Sequence, residues 1–215
     1  NDRVVLYGAY HLIKDKLNHE RNDEGRGEKI MALVTLKEIL AGTRAGHYAV
    51  GGFNFNGYED EQGIINGAVA KNSPVILMAS MGAVKYIGLH QVAGMVKGMA
   101  ESVDIPVCLH LDHATDYDLI KEAIKCGFTS VMVDASAKSY EDNIADSKMI
   151  VDFAKQYGCS VEAELGKVGG KEENIVVEDA SAAFTDPDDV PRFVSETGID
   201  ALAVAIGTVQ GFYKS

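Results

Sequence analysis

The sequence has no run of about 18 apolar residues, so nothing in it reads as a membrane span. It also lacks a basic excess: 20 Lys+Arg stand against 32 Asp+Glu, a formal net charge of -12. That balance argues against nonspecific binding to nucleic acid or to an acidic membrane. An anionic substrate would need a local pocket of backbone N–H groups and one or two cations. Cysteine is scarce. Cys108, Cys126 and Cys159 are an odd count without CxxC spacing, which reads as reduced thiols in the cytoplasm. Asn1 to Val5 offer no basic region ahead of a long apolar core, so no secretory signal is visible.

What is present is of globular type: 47% hydrophobic and 24% charged residues over 215 positions, enough for one or two domains. Only four prolines accompany 22 glycines, which suits a fold with many tight strand–helix joints. Residues 1–30 differ from the rest. They hold six Lys/Arg and six Asp/Glu, so the whole negative balance belongs to 31–215. Asn18 to Lys29 is polar and has no apolar face, the composition of a disordered segment. The expectation is a disordered or non-native leader over 1–30, with Met31 as the start of the domain. The rival is an amphipathic N-terminal helix packed through Val4, Val5, Leu6, Leu12, Ile13 and Leu17.

From Met31 onward, strand-like and helix-like segments alternate. Thr35 to Ala45 predicts a helix capped by Thr35 and stopped by Gly46. Strand-like runs follow at Tyr48–Phe55, Pro74–Ala79, Pro106–Leu111, Ser130–Asp134, Ser160–Leu165 and Ala201–Ile206. Helical spacing falls between them at Gln62–Ala70, Leu89–Glu101, Tyr117–Cys126, Tyr140–Tyr157 and Pro187–Thr197. The last of these predicts Asp186 as cap and Pro187 as the first helical residue. VCLHL, SVMV and ALAVAI are nearly continuous apolar runs, as in a parallel sheet covered by helices on both sides. A doubly wound sheet would place a glycine fingerprint after strand one, where NFNGYEDEQ stands instead. The polar residues gather at the strand C-termini, the active face of a (β/α)8 TIM barrel. The predicted fold is therefore α/β, a TIM barrel of which about six βα units are present, over 31–215.

His110-Leu111-Asp112-His113 is the densest candidate site. His110 and Asp112 share a strand face, and His113 turns onto the rim. A rim imidazole is a zinc ligand and an adjacent carboxylate a proton carrier. The alternative is one hydrogen-bonded core histidine, with Asp112 capping the next helix. Asp134, Glu162 and Glu164 place acids among buried strands, which is costly unless they are paired or bound to metal. Asp134 as a helix cap and Glu162 held by a lysine are the alternatives. Gly166 to Thr185 lacks periodicity and reads as a mobile lid, with Glu172 either catalytic or merely solvated. Gly207 to Lys214 suits either a phosphate loop or a plain turn.

YAVGGFNFN, SPVILMAS, PVCLHLDHATD, FTSVMVDAS, SVEAELGKVGG and IDALAVAIGTVQGFYK, in this order, resemble the strand-end motifs of class II fructose-bisphosphate aldolases and the similar tagatose-bisphosphate aldolases. The resemblance runs from about Ala32 to Lys214. It implies zinc-dependent, reversible aldol cleavage of a ketose bisphosphate on a TIM barrel in a homodimer or larger homo-oligomer, as part of glycolysis. The partners it implies are phosphorylated ketoses and triose phosphates, with no nucleic acid and no membrane. By the same resemblance, His113 is a zinc ligand and Asp112 moves the proton of the substrate's C4 hydroxyl. Asp134 and Glu164 hold the metal in an alternative position, and Glu172 assists proton transfer at the dihydroxyacetone-phosphate carbon. Asn54 and Ser80 resemble substrate contacts. Gly211 and Lys214 resemble a site for phosphate and a monovalent cation, Na+ or K+.

The sequence departs from the family at two of its three zinc histidines: the resemblance places the third, and the loops for the second phosphate, beyond Ser215, so a three-histidine zinc site is not expected from this polypeptide. The family's second zinc histidine falls at Gln210, and no histidine follows His113. An amide oxygen is a weaker zinc ligand than imidazole. The expectation is weak zinc binding and little aldolase activity for this polypeptide. A noncatalytic sugar-phosphate binder and an inactive fragment are the other readings.

Overall fold

A computed structural model of the chain describes residues 33–166 and 184–206 and, as backbone alone, 169–172, 175–177 and 209–210. The expectations for residues 1–30 and for Gly211 and Lys214 lie outside the described residues. The chain forms two compact units that divide after His110.

In the first unit, Thr35 caps α1 (Leu36–Leu40) through a capping box with Glu38, the reciprocal pairing that satisfies two open N–H groups. The predicted long helix is instead two: α2 (Thr43–Gly46) follows, and His47, in a left-handed conformation, ends it one residue beyond the predicted stop. Strand β1 (Gly51–Asn54) runs parallel to β2 (Val75–Ser80), with Gly51 opposite Val75 and Asn54 opposite Met78. Between them lies α3 (Tyr58–Ala70), which begins four residues ahead of the predicted start because Gly57 serves as its cap. Ser80 opens α4 (Met81–Ile87), a helix absent from the sequence reading, and α5 (Leu89–Ala100) follows. The strand order is β1-β2-β3.

Strand β3 (Val107–Ala114) runs on into the second unit, where the order is β3-β4-β5-β8. Strands β4 (Ser130–Val133), β5 (Ser160–Leu165) and β8 (Ala201–Val204) are parallel, with Met132 opposite Glu162 and Glu162 opposite Ala201. Helix α6 (Tyr117–Cys126) leads from β3 to β4, and α7 (Tyr140–Ala154) with a 3-10 turn leads from β4 to β5. Helix α8 (Val190–Thr197) precedes β8. Its predicted start at Pro187 is corrected: Asp186 accepts from the Asp188 N–H in a turn, Asp189 caps the helix, and Pro191 is the proline of its first turn. Ile144, Ala163, Leu165 and Phe193 form a core between α7, β5 and α8.

Two expectations change at the edges of the sheet order. β3, β4 and β5 are buried as the apolar runs predict, but β1 is exposed along its length and β8 is half-buried. Among the described residues, each pairs with a strand on one side only in this sheet. The predicted irregular lid is also partly ordered. β6 (Gly169–Glu172) pairs antiparallel with β7 (Ile175–Val177) and parallel with β9 (Val209–Gln210).

Candidate functional site

The site is built at the C-terminal ends of β3, β4 and β5, all within the second unit. Asp112 is buried because β3 is covered on both faces, with Leu111 buried on the opposite side. The next residue departs from strand geometry: His113 has φ 43, a left-handed conformation uncommon outside glycine. The backbone turn leaves its imidazole half-buried at the rim while Ala114 is still in the strand. Strain of this kind, about 1–3 kcal/mol, persists where surrounding structure enforces it.

Asp134 follows β4, and its N–H donates to the Ala114 carbonyl at 3.0 Å, which ties the two strand ends together. Its carboxylate is divided in use. Oδ1 accepts from the Ser136 N–H at 3.1 Å and the Ser136 hydroxyl at 2.7 Å. Oδ2 lies 3.1 Å from His113 Nδ1. Glu164 arrives on β5 with Oε2 3.5 Å from the same nitrogen. Its own carbonyl accepts from the buried Asn143 Nδ2 at 2.8 Å, and Ser147 donates to Asn143 Oδ1.

One donor atom from each of His113, Asp134 and Glu164 lies within 4.8 Å of the others, and both carboxylates are buried. This donor set fits a divalent cation, since imidazole and carboxylate are its ordinary ligands. Burial acts to raise the Asp134 carboxyl, but hydrogen bonds from His113 and Ser136 outweigh it and hold it below the usual carboxylate range. Glu162 goes the other way. Burial first, then the charge of Asp112, pushes it up to about 7 against the opposing effect of His113. A carboxyl at that value next to a buried aspartate suits an acid–base site near neutral pH.

The alternatives weighed from sequence are resolved in part. Asp116, not Asp112, caps α6, accepting from the N–H groups of Asp118 and Leu119. His110 is the core histidine, 1% exposed. Asp134 holds a local turn rather than a helix start, since Ser139 caps α7. Among the described residues, the charges that shift Glu162 are those of Asp112 and His113. In the first unit, Asn54 ends β1 exposed, and Ser80 ends β2 with its hydroxyl accepting from the Ala83 N–H. Glu172 ends β6, and Gln210 ends β9 with Gly170 as its ladder partner. Sequence reading missed Ser136 and Asn143. Asp-Ala-Ser, with its two-residue spacing, is the signature of an aspartate bonded to backbone two residues on, and could have drawn notice to Ser136. Nothing in the sequence marks Asn143.

Residues 34–215 match the family model described as fructose-bisphosphate aldolase class-II. A fructose-bisphosphate aldolase from Staphylococcus aureus is 44% identical over 187 residues, 86% of this chain and 65% of that protein. One from Geobacillus stearothermophilus is 46% identical over 86% of this chain and 64% of its own length. The chain thus spans just under two thirds of the relatives it matches. Among solved structures, the YdjI aldolase of Escherichia coli K12 superposes with a TM-score of 0.74 at 36% identity, covering 85% of this chain and 64% of that one. A putative fructose-1,6-bisphosphate aldolase from Coccidioides immitis gives 0.73 at 32% identity, covering 81% of this chain and 61% of its own.

Proposed function

The chain belongs to the class II fructose-bisphosphate aldolase family, and from that premise we propose that its second unit carries the site for reversible, zinc-dependent cleavage of fructose 1,6-bisphosphate. The observation that carries this reading is the convergence of His113, Asp134 and Glu164 beside the buried Asp112. His113, Asp134 and Glu164 would hold the zinc ion. When bound, it supplies Lewis-acid polarisation of the ketone and stabilisation of the developing negative charge.

The chain's own residues would move the protons. Asp112 takes the proton of the C4 hydroxyl as the C3–C4 bond breaks. That oxygen's electron pair closes the aldehyde of glyceraldehyde 3-phosphate, and the electrons of the broken bond pass into the enediolate of dihydroxyacetone phosphate. Glu172 then delivers a proton to its C3. Asn54 and Ser80 would contact the sugar, and Gly211 and Lys214 would hold a phosphate with a monovalent cation. A ketose bisphosphate of the tagatose type is the second reading; the names of the matched relatives favour fructose.

Gln210 sets the expected rate. With an amide where the family has a zinc histidine, zinc binds weakly and turnover is low. The test is a coupled assay for triose phosphate with and without chelator. Slow cleavage that chelator abolishes, and that Gln210→His raises, supports the reading. Chelator-resistant cleavage contradicts it, and binding of dihydroxyacetone phosphate in chelator without any cleavage favours a noncatalytic sugar-phosphate binder.

A further inference from the structure

The two oxygens of Asp134 are not equivalent, and a single neighbour makes them so. Ser136 gives Oδ1 two donors, its backbone N–H at 3.1 Å and its hydroxyl at 2.7 Å. Both bonds come from a residue two positions on, so they fix the carboxylate plane relative to the end of β4. Oδ2 is then left facing His113 Nδ1 at 3.1 Å. The Asp134 side chain is 4% exposed, so solvent offers little to replace a lost donor. Its backbone is already anchored through the Ala114 carbonyl, so the side-chain torsion is the remaining freedom.

We propose that Ser136 is a positioning residue for the metal centre: its hydroxyl saturates Asp134 Oδ1 and thereby aims Oδ2 at the cation shared with His113 and Glu164. The inference rests on the metal-binding reading above. Partners outside the ligand sphere typically govern metal affinity by about 10- to 100-fold, because they fix ligand orientation before the ion arrives. The rival role is purely local. The Ala135–Ser139 turn carries its own bond, Lys138 N–H to the Ala135 carbonyl at 2.9 Å, and Ser136 could serve only that turn.

Ser136→Ala removes the hydroxyl and keeps the backbone donor, whereas Ser136→Thr keeps both. Cobalt(II) titration of the full chain, read from the visible absorption of the bound ion, gives affinity without reference to turnover. Melting of the metal-free proteins is measured alongside. The expected result is a cobalt dissociation constant raised about tenfold in Ser136→Ala and near wild type in Ser136→Thr, with metal-free melting close to wild type in both. Cobalt binding by Ser136→Ala as tight as wild type overturns the positioning role and leaves the metal site standing. Equal losses in both variants, tracking lower metal-free melting, assign Ser136 to the turn and also overturn it. A wild-type chain that binds no cobalt overturns the metal reading itself, and this inference with it.

Discussion

At the scale of single residues, function shows as departures from what a buried strand prefers. Asp112 and Glu164 are buried acids, and His113 takes a backbone conformation that a strand avoids. The acids and the histidine were legible because polar residues at the ends of apolar runs have few other reasons to be there. The partner of each acid was not, since Asp134 and Glu164 are 30 positions apart and only the fold joins them. Asp112→Asn should lower aldol cleavage by about 10²- to 10⁴-fold, the range for a lost general acid–base group, while leaving cobalt affinity unchanged. A parallel fall in affinity would place Asp112 among the ligands. Glu61 makes a separate prediction. It is completely buried in the first turn of α3, neither carboxylate oxygen has a hydrogen-bond partner among the described residues, and burial pushes it up from 4.5 to about 7. The folded form therefore keeps a proton that the unfolded chain loses, so Glu61 drains stability as pH rises from about 4.5 to about 7. Glu61→Gln should match wild type at pH 4 and melt a few degrees higher at pH 8. Identical melting curves at both values would mean the carboxyl reaches solvent.

At the scale of elements, boundaries were legible where a local signal was unopposed. Tyr117–Cys126 is α6 as read, because Asp116 caps it and Gly127, at φ 100, ends it. A side chain at Gly127 would meet nothing within 4 Å, so Gly127→Ala tests backbone strain alone. It should cost about 1 kcal/mol, or roughly 2–4 °C in melting temperature for a chain of this length. Ser139 caps α7 by accepting from the Asp142 N–H, and Ser139→Ala should cost about 1 kcal/mol in chemical denaturation. Legibility failed where two signals competed. Pro187 is a good first helical residue, but Asp186 and Asp189 close a turn there and the helix begins at Val190 instead, with Pro191 in its first turn. The Gly166–Thr185 segment hid β6 and β7 because three- and four-residue strands, in a stretch that opens with glycines, give no period to read.

At the scale of the whole molecule, the family and the α/β class follow from the order of the strand-end motifs, and the match over 34–215 agrees with them. Strand burial was less legible. ALAVAI has the composition of a buried strand, yet β8 is half-buried, since what covers a strand depends on its neighbours and not on its own residues. The function proposed for the second unit requires that the ends of β3, β4 and β5 make a cation site. The most direct measurement is zinc binding by competition with a chromophoric chelator, for the wild-type chain, His113→Ala and Glu164→Gln. The expected result is a single zinc ion per wild-type chain, bound weakly enough for the chelator to compete, and affinity lower by tenfold or more in each variant. Zinc held equally by all three proteins, or by none of them, would contradict it.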